Sequence, residues 1–212
     1  MPGPTAEGTQ IYLIRHGETD SNAGRVVQVP SDPLSRRGLV QAARLAERIV
    51  GYNIKRLISS DLRRAALTAE HIELSTGVSA EFTEILHERN FGDLRGTPYT
   101  ELETDPFAAD YEPPGGESWE AFHDRVTKAW DDIQQVASMD EPVAVVTHGL
   151  VLRSILARHL GVDLDDALAA STALAIPNTS VTTVERSSGK WRVQAIACTE
   201  HLDGLPEDGG VA

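Results

Sequence analysis

Two short apolar runs, each ending in a histidine and a glycine, constrain this chain more than any other feature. Ile11-Tyr12-Leu13-Ile14 leads into Arg15-His16-Gly17-Glu18-Thr19, and Val143-Ala144-Val145-Val146 leads into Thr147-His148-Gly149. Four apolar residues in a row read as a strand buried on both faces. Glycine just beyond breaks the strand and tolerates unusual backbone angles. Strands of this kind belong to parallel sheets covered by helices, and ligands bind beyond their carboxyl ends. His16 and His148 are therefore expected to face one crevice. Taken alone, each is as readily a hydrogen-bonded structural histidine. The repetition of strand, His, Gly and helix argues against coincidence. Imidazole is a nucleophile at neutral pH, and guanidinium matches the oxygen geometry of phosphate. The Arg15-His16 pair thus points to chemistry on a phosphate ester.

The rest of the chain supplies alternating elements. A helix is expected over 36–50, with Ser35 as N-cap and Leu39, Ala42, Ala43, Ala46, Ile49 and Val50 along one stripe. Further strands are expected at 56–59, 79–83, 173–176, 180–186 and 191–198. Further helices are expected at 61–75, capped by Ser60 or Asp61, at 117–137 and at 149–160. The last two strands, joined by Ser187-Ser188-Gly189, predict an antiparallel edge hairpin. This pattern predicts a single three-layer α/β/α domain over residues 10–202, with a mostly parallel central sheet and an antiparallel edge. Residues 1–9 and 203–212 are expected to be loose termini.

Composition narrows the partners. The net charge of −13 disfavours nucleic acid and anionic membrane surfaces. It also makes a local cluster of Arg and His more telling. The single cysteine, Cys198, excludes an internal disulfide framework and any cysteine-based metal cluster, and is read as a small buried hydrophobe. No secretory leader or membrane span is visible, so a cytoplasmic protein is expected. A homodimer stays open.

Two further segments carry candidate chemistry. Ser59-Ser60-Asp61-Leu62-Arg63-Arg64-Ala65 is a third strand-to-helix junction, and helical geometry lets only one of its arginines face the crevice. The alternative is a solvated basic turn. Glu88, in Leu86-His87-Glu88-Arg89-Asn90-Phe91-Gly92, is a carboxylate flanked by apolar residues, where partial burial would fit it to donate a proton. The alternative there is a surface ion pair with Arg89. The helix after Gly149 offers backbone N–H groups to an anion.

Together these residues resemble the histidine phosphatase superfamily, the phosphoglycerate-mutase-like proteins. The resemblance runs from about residue 10 to 202. It rests on Arg15-His16-Gly17-Glu18-Thr19 with Asn22, Ser60-Asp61-Leu62-Arg63-Arg64-Ala65, Leu86-His87-Glu88 with Phe91-Gly92, and Thr147-His148-Gly149, in that order. The resemblance implies that His16 is the nucleophile that becomes phosphohistidine. It implies that Arg15, Arg64 and His148 hold the phosphoryl oxygens, that Asn22 adds a hydrogen bond, and that Glu88 is the acid–base residue. Gly149 belongs to the same phosphate-binding set. Neither metal nor cofactor is implied, and the expected partner is a small phosphate monoester.

Within the family the mutases carry an insertion with a further pair of arginines. Here the chain runs Tyr111-Glu112-Pro113-Pro114-Gly115-Gly116-Glu117-Ser118-Trp119, which is similar to the smaller phosphatase branch. A metal-independent phosphomonoesterase is therefore favoured, acting on a sugar phosphate, a phosphoglycerate derivative or α-ribazole phosphate. The 2,3-bisphosphoglycerate-dependent phosphoglycerate mutase is the alternative, and a non-catalytic binding member the third reading. Gln28-Val29 departs from the family's frequent Gln-Gly, at a loop near the entrance. Phe107, Tyr111 and Trp119 are candidate contacts at the mouth, the alternative being that they pack the segment that covers it, which is the preferred reading for Trp119.

Overall fold

A computed structural model describes residues 9–137, 141–164 and 176–205. The apolar runs become strands β1 (Gln10–Arg15) and β4 (Val143–Thr147); β2 (Arg56–Ser60), β3 (Ala80–Thr83), β5 (Val181–Ser187) and β6 (Lys190–Cys198) complete the sheet among these residues. Its order is β3-β2-β4-β1-β5-β6. The pairs β3–β2, β2–β4 and β4–β1 are parallel, and β1–β5 and β5–β6 are antiparallel. The sheet is thus mostly parallel with an antiparallel edge. Ser188 and Gly189 both take positive φ, at 52° and 77°, which gives the β5–β6 hairpin the turn twist that flanking strands favour.

Strand alternation sorts the core into two layers. Ile11, Leu13, Val143 and Val145 point to one face, where α4 (Trp119–Ala137) and α5 (Gly149–Ser154) bury Phe122, Val126, Trp130, Leu152 and their neighbours. Tyr12, Ile14, Ala144 and Val146 point to the other, covered by α2 (Arg36–Val50) and α3 (Arg63–Thr76). A single turn, α1 (Asp20–Ala23), follows β1 and is capped by the Thr19 hydroxyl. Beyond α5 the helix widens over Ile155–His159, with Leu160 N donating to Ile155 O at 3.1 Å.

Several expectations change in detail. The buried stripe of α2 is Gly38, Gln41, Ala42, Leu45, Ala46 and Ile49, whereas Leu39, Ala43 and Val50 face solvent. Gln41 is inside because its side-chain oxygen accepts from Glu18 N at 2.9 Å. A polar residue thus belongs to the inner stripe, and an apolar-only pattern places the helix slightly wrongly about its axis. Helix α3 begins at Arg63 without a side-chain cap, because Ser60 is engaged with His148 instead. Helix α4 begins at Trp119, with Ser118 Oγ accepting from Ala121 N, while Glu117 is taken by Arg125. Thr9 is buried rather than loose, its carbonyl accepting from Arg186 N at 3.0 Å. Residues 1–8 and 206–212 of the expected loose termini, and 173–175 of the expected strand 173–176, lie outside the described residues; Ile176 is buried but in no strand. Cys198 is half-buried and polar in its contacts, receiving both terminal nitrogens of Arg48 at 3.4 and 3.3 Å. Among the described residues no helix is long and apolar enough to cross a membrane.

Gly17 has no positive φ; its role is close approach. The loop after β1 lies directly on the start of α2, where a Cβ on Gly38 would fall 2.0 Å from Glu18 O. Backbone cannot yield there as a flexible side chain can. Gly38→Ala is therefore expected to destabilise the fold by about 1–3 kcal/mol or more, measured by urea unfolding. Unchanged stability would show that this contact is not held tightly.

Candidate active site

Register brings the two histidines together. In the parallel β1–β4 pair Arg15 lies opposite Thr147, so the next residues, His16 and His148, leave the sheet side by side. His16 N donates to Thr147 O at 3.0 Å, extending the ladder by one bond. The two rings stand 5.0 Å apart between centroids, tilted by 56°. Both histidines are almost fully buried. His16 Nδ1 lies 2.7 Å from Gly17 O. A carbonyl only accepts, so Nδ1 carries the proton and Nε2 keeps its lone pair. Burial lowers the His16 pKa well below the usual 6.5, and the charges of Arg64 and Arg15 lower it further. The imidazole is therefore neutral at physiological pH, with its basic nitrogen free.

His148 is held by its other nitrogen. Nε2 is 2.8 Å from Ser60 Oγ. A Ser60 hydroxyl that accepts from Leu62 N at 3.3 Å and donates its own proton to Nε2 leaves the ring N–H on His148 Nδ1. Burial, then Arg64 and His16, also depress the His148 pKa well below 6.5. Both rings are then neutral Nδ1–H tautomers turned opposite ways, His16 leaving its Nε2 lone pair free and His148 its Nδ1–H.

The Arg63-Arg64 pair divides as helical geometry requires. Arg63 turns outward to Glu70 at 3.2 Å, while Arg64 is 2 % exposed and donates to Val29 O at 3.2 Å. Arg15 donates to Ile176 O. Desolvation lowers the Arg15 pKa, and lowers that of Arg64 to about 10, with Glu88 opposing both shifts. Both guanidinium groups still remain charged. Arg15 Nε, Arg64 Nε and His148 Nδ1 are buried without a hydrogen-bond partner. Leaving one such group unpaired costs about 1–3 kcal/mol, more for a charged one. Three in one cluster, all N–H donors, suit an anion with several oxygens.

Glu88 does not pair with the Arg89 side chain. Its Oε2 accepts from Leu150 N at 3.1 Å and its Oε1 from Arg89 N at 3.0 Å. The start of α5 is thus turned partly toward a carboxylate of the protein itself. Desolvation raises the Glu88 pKa above its ordinary value, outweighing these two hydrogen bonds and the nearby Arg64 and Arg15 charges. Gly149 lies alongside, where a Cβ would meet Arg15 Nε at 3.7 Å and Glu88 Oε2 at 3.9 Å.

Arg15, Asn22, Glu88 and Gly149 line a cavity of about 790 Å³; His16, Arg64 and His148 are buried outside that lining. The Asn22 side-chain oxygen accepts from Asn178 Nδ2 at 3.3 Å, which leaves the Asn22 amide to donate. Asn178 also donates to His16 O at 3.0 Å, and Thr179 N to Arg15 O at 3.1 Å, so the 177–180 turn fixes the strand end. Sequence reasoning missed Ser60, Thr68, Asn178 and Thr179 as supports. They are common polar residues whose value comes from neighbours distant in the chain. Thr68 had the clearest signal, standing four residues after Arg64; it accepts from Gly17 N at 3.0 Å and donates to Arg64 O at 2.8 Å.

Arg89 has a different task. It is 2 % exposed, donates to the carbonyls of Glu117, Pro106 and Tyr111, and lies 3.9 Å over the Trp119 ring. Trp119 Nε1 in turn donates to Ala108 O at 2.8 Å. One side chain thus ties the 106–117 segment to the loop carrying Glu88. Trp119 packs this segment and borders the cavity; Phe107 also lines the cavity, and Tyr111 contributes its carbonyl instead. Arg89→Lys loses the planar fork and is expected to expose 106–117 to limited proteolysis and faster hydrogen exchange. Unchanged protection would mean that the segment is held by other contacts. Among the described residues no group of three or more His, Cys, Asp or Glu could hold a metal ion.

The chain is similar to known proteins over most of its length. The sequence model of the histidine phosphatase superfamily (branch 1) matches residues 11–199. A probable phosphoglycerate mutase GpmB from Salmonella choleraesuis (strain SC-B67) is 31% identical over 209 residues, covering 92% of this chain and 95% of that protein. The mycobacterial glucosyl-3-phosphoglycerate phosphatase, solved in complex with VO3, superposes with a TM-score of 0.74 at 25% identity, over 88% of this chain and 98% of that one. A phosphoglycerate mutase from Bacillus anthracis str. Sterne shares the fold, with a TM-score of 0.73 at 24% identity, over 92% of this chain and 95% of that one. With two histidines and two arginines gathered at the ends of β1, β4 and β2, the chain belongs to the histidine phosphatase superfamily, branch 1.

Proposed function

We propose that the protein is a metal-independent phosphomonoesterase working through phosphohistidine. The observation that carries this reading is the set of buried, unpartnered N–H groups on Arg15, Arg64 and His148 beside the neutral His16 ring. Phosphoryl transfer needs positioning and charge stabilisation more than covalent help. His16 Nε2 attacks phosphorus, forming a P–N bond as the ester P–O bond breaks. Arg15, Arg64 and His148, with Asn22 and the Gly149 N–H, hold the non-bridging oxygens. The departing oxygen takes the electron pair of the broken bond and a proton from Glu88. Glu88, now ionised, takes a proton from water as that water attacks phosphorus and the P–N bond breaks. Its raised pKa suits the first step, and the two backbone N–H groups support its charge in the second.

Hydrolysis is favoured over mutase activity by the position of Arg89. A mutase must retain a bisphosphorylated intermediate while it reorients, which calls for cations beyond the transferring phosphate. Arg89, next to the acid in sequence, spends its guanidinium on three backbone carbonyls instead, which leaves Arg25, Arg95 and Arg153 as the further cations of the cavity. The mutase reading draws its support from the 31% identical relative. The smaller substrate classes stay as expected from the family: a sugar phosphate, a phosphoglycerate derivative or α-ribazole phosphate.

The test is incubation with p-nitrophenyl phosphate and a panel of sugar and glycerate phosphates in the presence of a chelator. Phosphate release is expected. Interconversion of 3- and 2-phosphoglycerate with little release would establish the mutase instead, and no turnover across the panel would favour a binding protein.

A further inference from the structure

Resting on the hydrolase reading, we propose that the alcohol of the preferred substrate carries an apolar ring face that packs on Phe107. The cavity that reaches Arg15 and Glu88 holds about 790 Å³, far more than a phosphoryl group and a two- or three-carbon chain require. Cavities of this size, roughly 300–1,000 Å³, fit ring-bearing ligands. One wall is aromatic. Phe107 meets Phe91 edge-on at 5.8 Å and Tyr99 edge-on at 5.8 Å. Phe91 is buried, but Phe107 keeps 42 % of its surface exposed. Of the large exposed hydrophobics among the described residues, the others are Leu39, Val50, Leu74 and Phe82, and Phe107 is the one within the cavity. Its face is not a random surface apolar group. Val27, Leu62, Leu150 and Ile176 add apolar surface to a lining that also carries Gln28, Asp105 and Arg153, so a ring on Phe107 shares the cavity with both kinds of wall.

The loop that presents Phe107 is held firmly. Arg89 grips Pro106 O and Trp119 grips Ala108 O, the residues on either side of Phe107. A ring placed this way adds affinity without a large ordering cost. Arg25 and Arg95 also border the cavity and are exposed, which leaves room for polar substituents at the water side. Phe107 is then a specificity residue, acting on the leaving alcohol and not on the phosphoryl group.

The experiment compares 2-phenylethyl phosphate with ethyl phosphate, whose primary alkoxides are similar leaving groups, and with 3-phosphoglycerate. The kcat/KM for the phenylethyl ester is expected to exceed that for the ethyl ester by about tenfold or more. Phe107→Ala should remove most of that preference while leaving ethyl phosphate unchanged, and Phe82→Ala, far from the cavity, should leave both unchanged. The corresponding phosphonates, which cannot be hydrolysed, are titrated calorimetrically against the wild-type protein. Tighter binding of the phenylethyl compound without any turnover would sink the hydrolase reading and keep the pocket assignment. Equal rates and equal affinities for the two compounds, or a preference for 3-phosphoglycerate, would overturn the pocket assignment while phosphate release still upheld hydrolysis. Equal losses on both esters in Phe107→Ala would also overturn it, reassigning Phe107 to the fold.

Discussion

His16→Ala should lower turnover about ten-thousand-fold or more, because no other group can then form the covalent intermediate. The wild-type protein, quenched during turnover, should carry a phosphoryl group that is labile to acid and stable to base, mapped by peptide analysis to His16. The variant should carry none. Two nitrogen positions decide this expectation. Nδ1 is committed to Gly17 O at 2.7 Å, so the attacking nitrogen has to be Nε2. His148 is turned the other way, its Nε2 taken by Ser60 and its Nδ1–H left free, which makes it a donor and a poor nucleophile. His148→Ala is accordingly expected to slow the reaction, yet still allow the His16 adduct to form. The circular dichroism of both variants separates lost chemistry from lost fold. A phosphoryl group found on His148, or a His16→Ala protein that keeps more than a small fraction of its activity, would reverse the assignment.

Glu88→Gln should separate substrates by their leaving group. Loss of a general acid costs about a hundred- to ten-thousand-fold where the departing oxygen needs its proton. An alkyl phosphate should feel that loss in full, whereas p-nitrophenyl phosphate, whose anion leaves readily, should feel much less. The pH profile carries the same signature. Burial holds the Glu88 pKa above its usual value, and a bound phosphoryl anion raises it further by like-charge repulsion. The acid is therefore protonated at mildly acidic pH and ionises as pH rises. With the alkyl ester, kcat should fall on the basic side through the raised Glu88 pKa. His16 adds no acidic limb near its ordinary 6.5, because its pKa lies well below that value. In Glu88→Gln the basic limb attributed to the acid should vanish. Equal losses on alkyl and aryl esters, or an unaltered limb in the variant, would assign the proton to another group.

These expectations rest on a site whose parts differ in how far they could be read from the chain. The β1 and β4 runs are legible because a strand buried on both faces needs unbroken apolar residues, and the Gly that ends each run is equally local. The edge hairpin is legible because two positive φ values at Ser188-Gly189 suit a small polar residue and a glycine. The stripe of α2 is less so. Gln41 faces inward on account of one bond to Glu18 N, and a hydrophobicity pattern has no means of showing that bond.

Glu88 and Arg89 mark the limit most clearly. Side by side in sequence, a carboxylate and a guanidinium read equally well as a surface pair. In the fold Glu88 turns toward Leu150 N at the start of α5, and Arg89 turns away to the carbonyls of Pro106, Tyr111 and Glu117. The amino-acid sequence by itself determined the strand ends, the histidines that terminate them, and the family, since these follow from local pattern and motif order. Tertiary structure alone decided the orientation of the His148 ring against Ser60, the burial that raises Glu88, and the use of Arg89 to hold the 106–117 segment. The reason is that a side chain's ionisation and direction depend on the partners that surround it, and those of Arg89, Glu88 and His148 include groups 17 to 88 residues away in the chain.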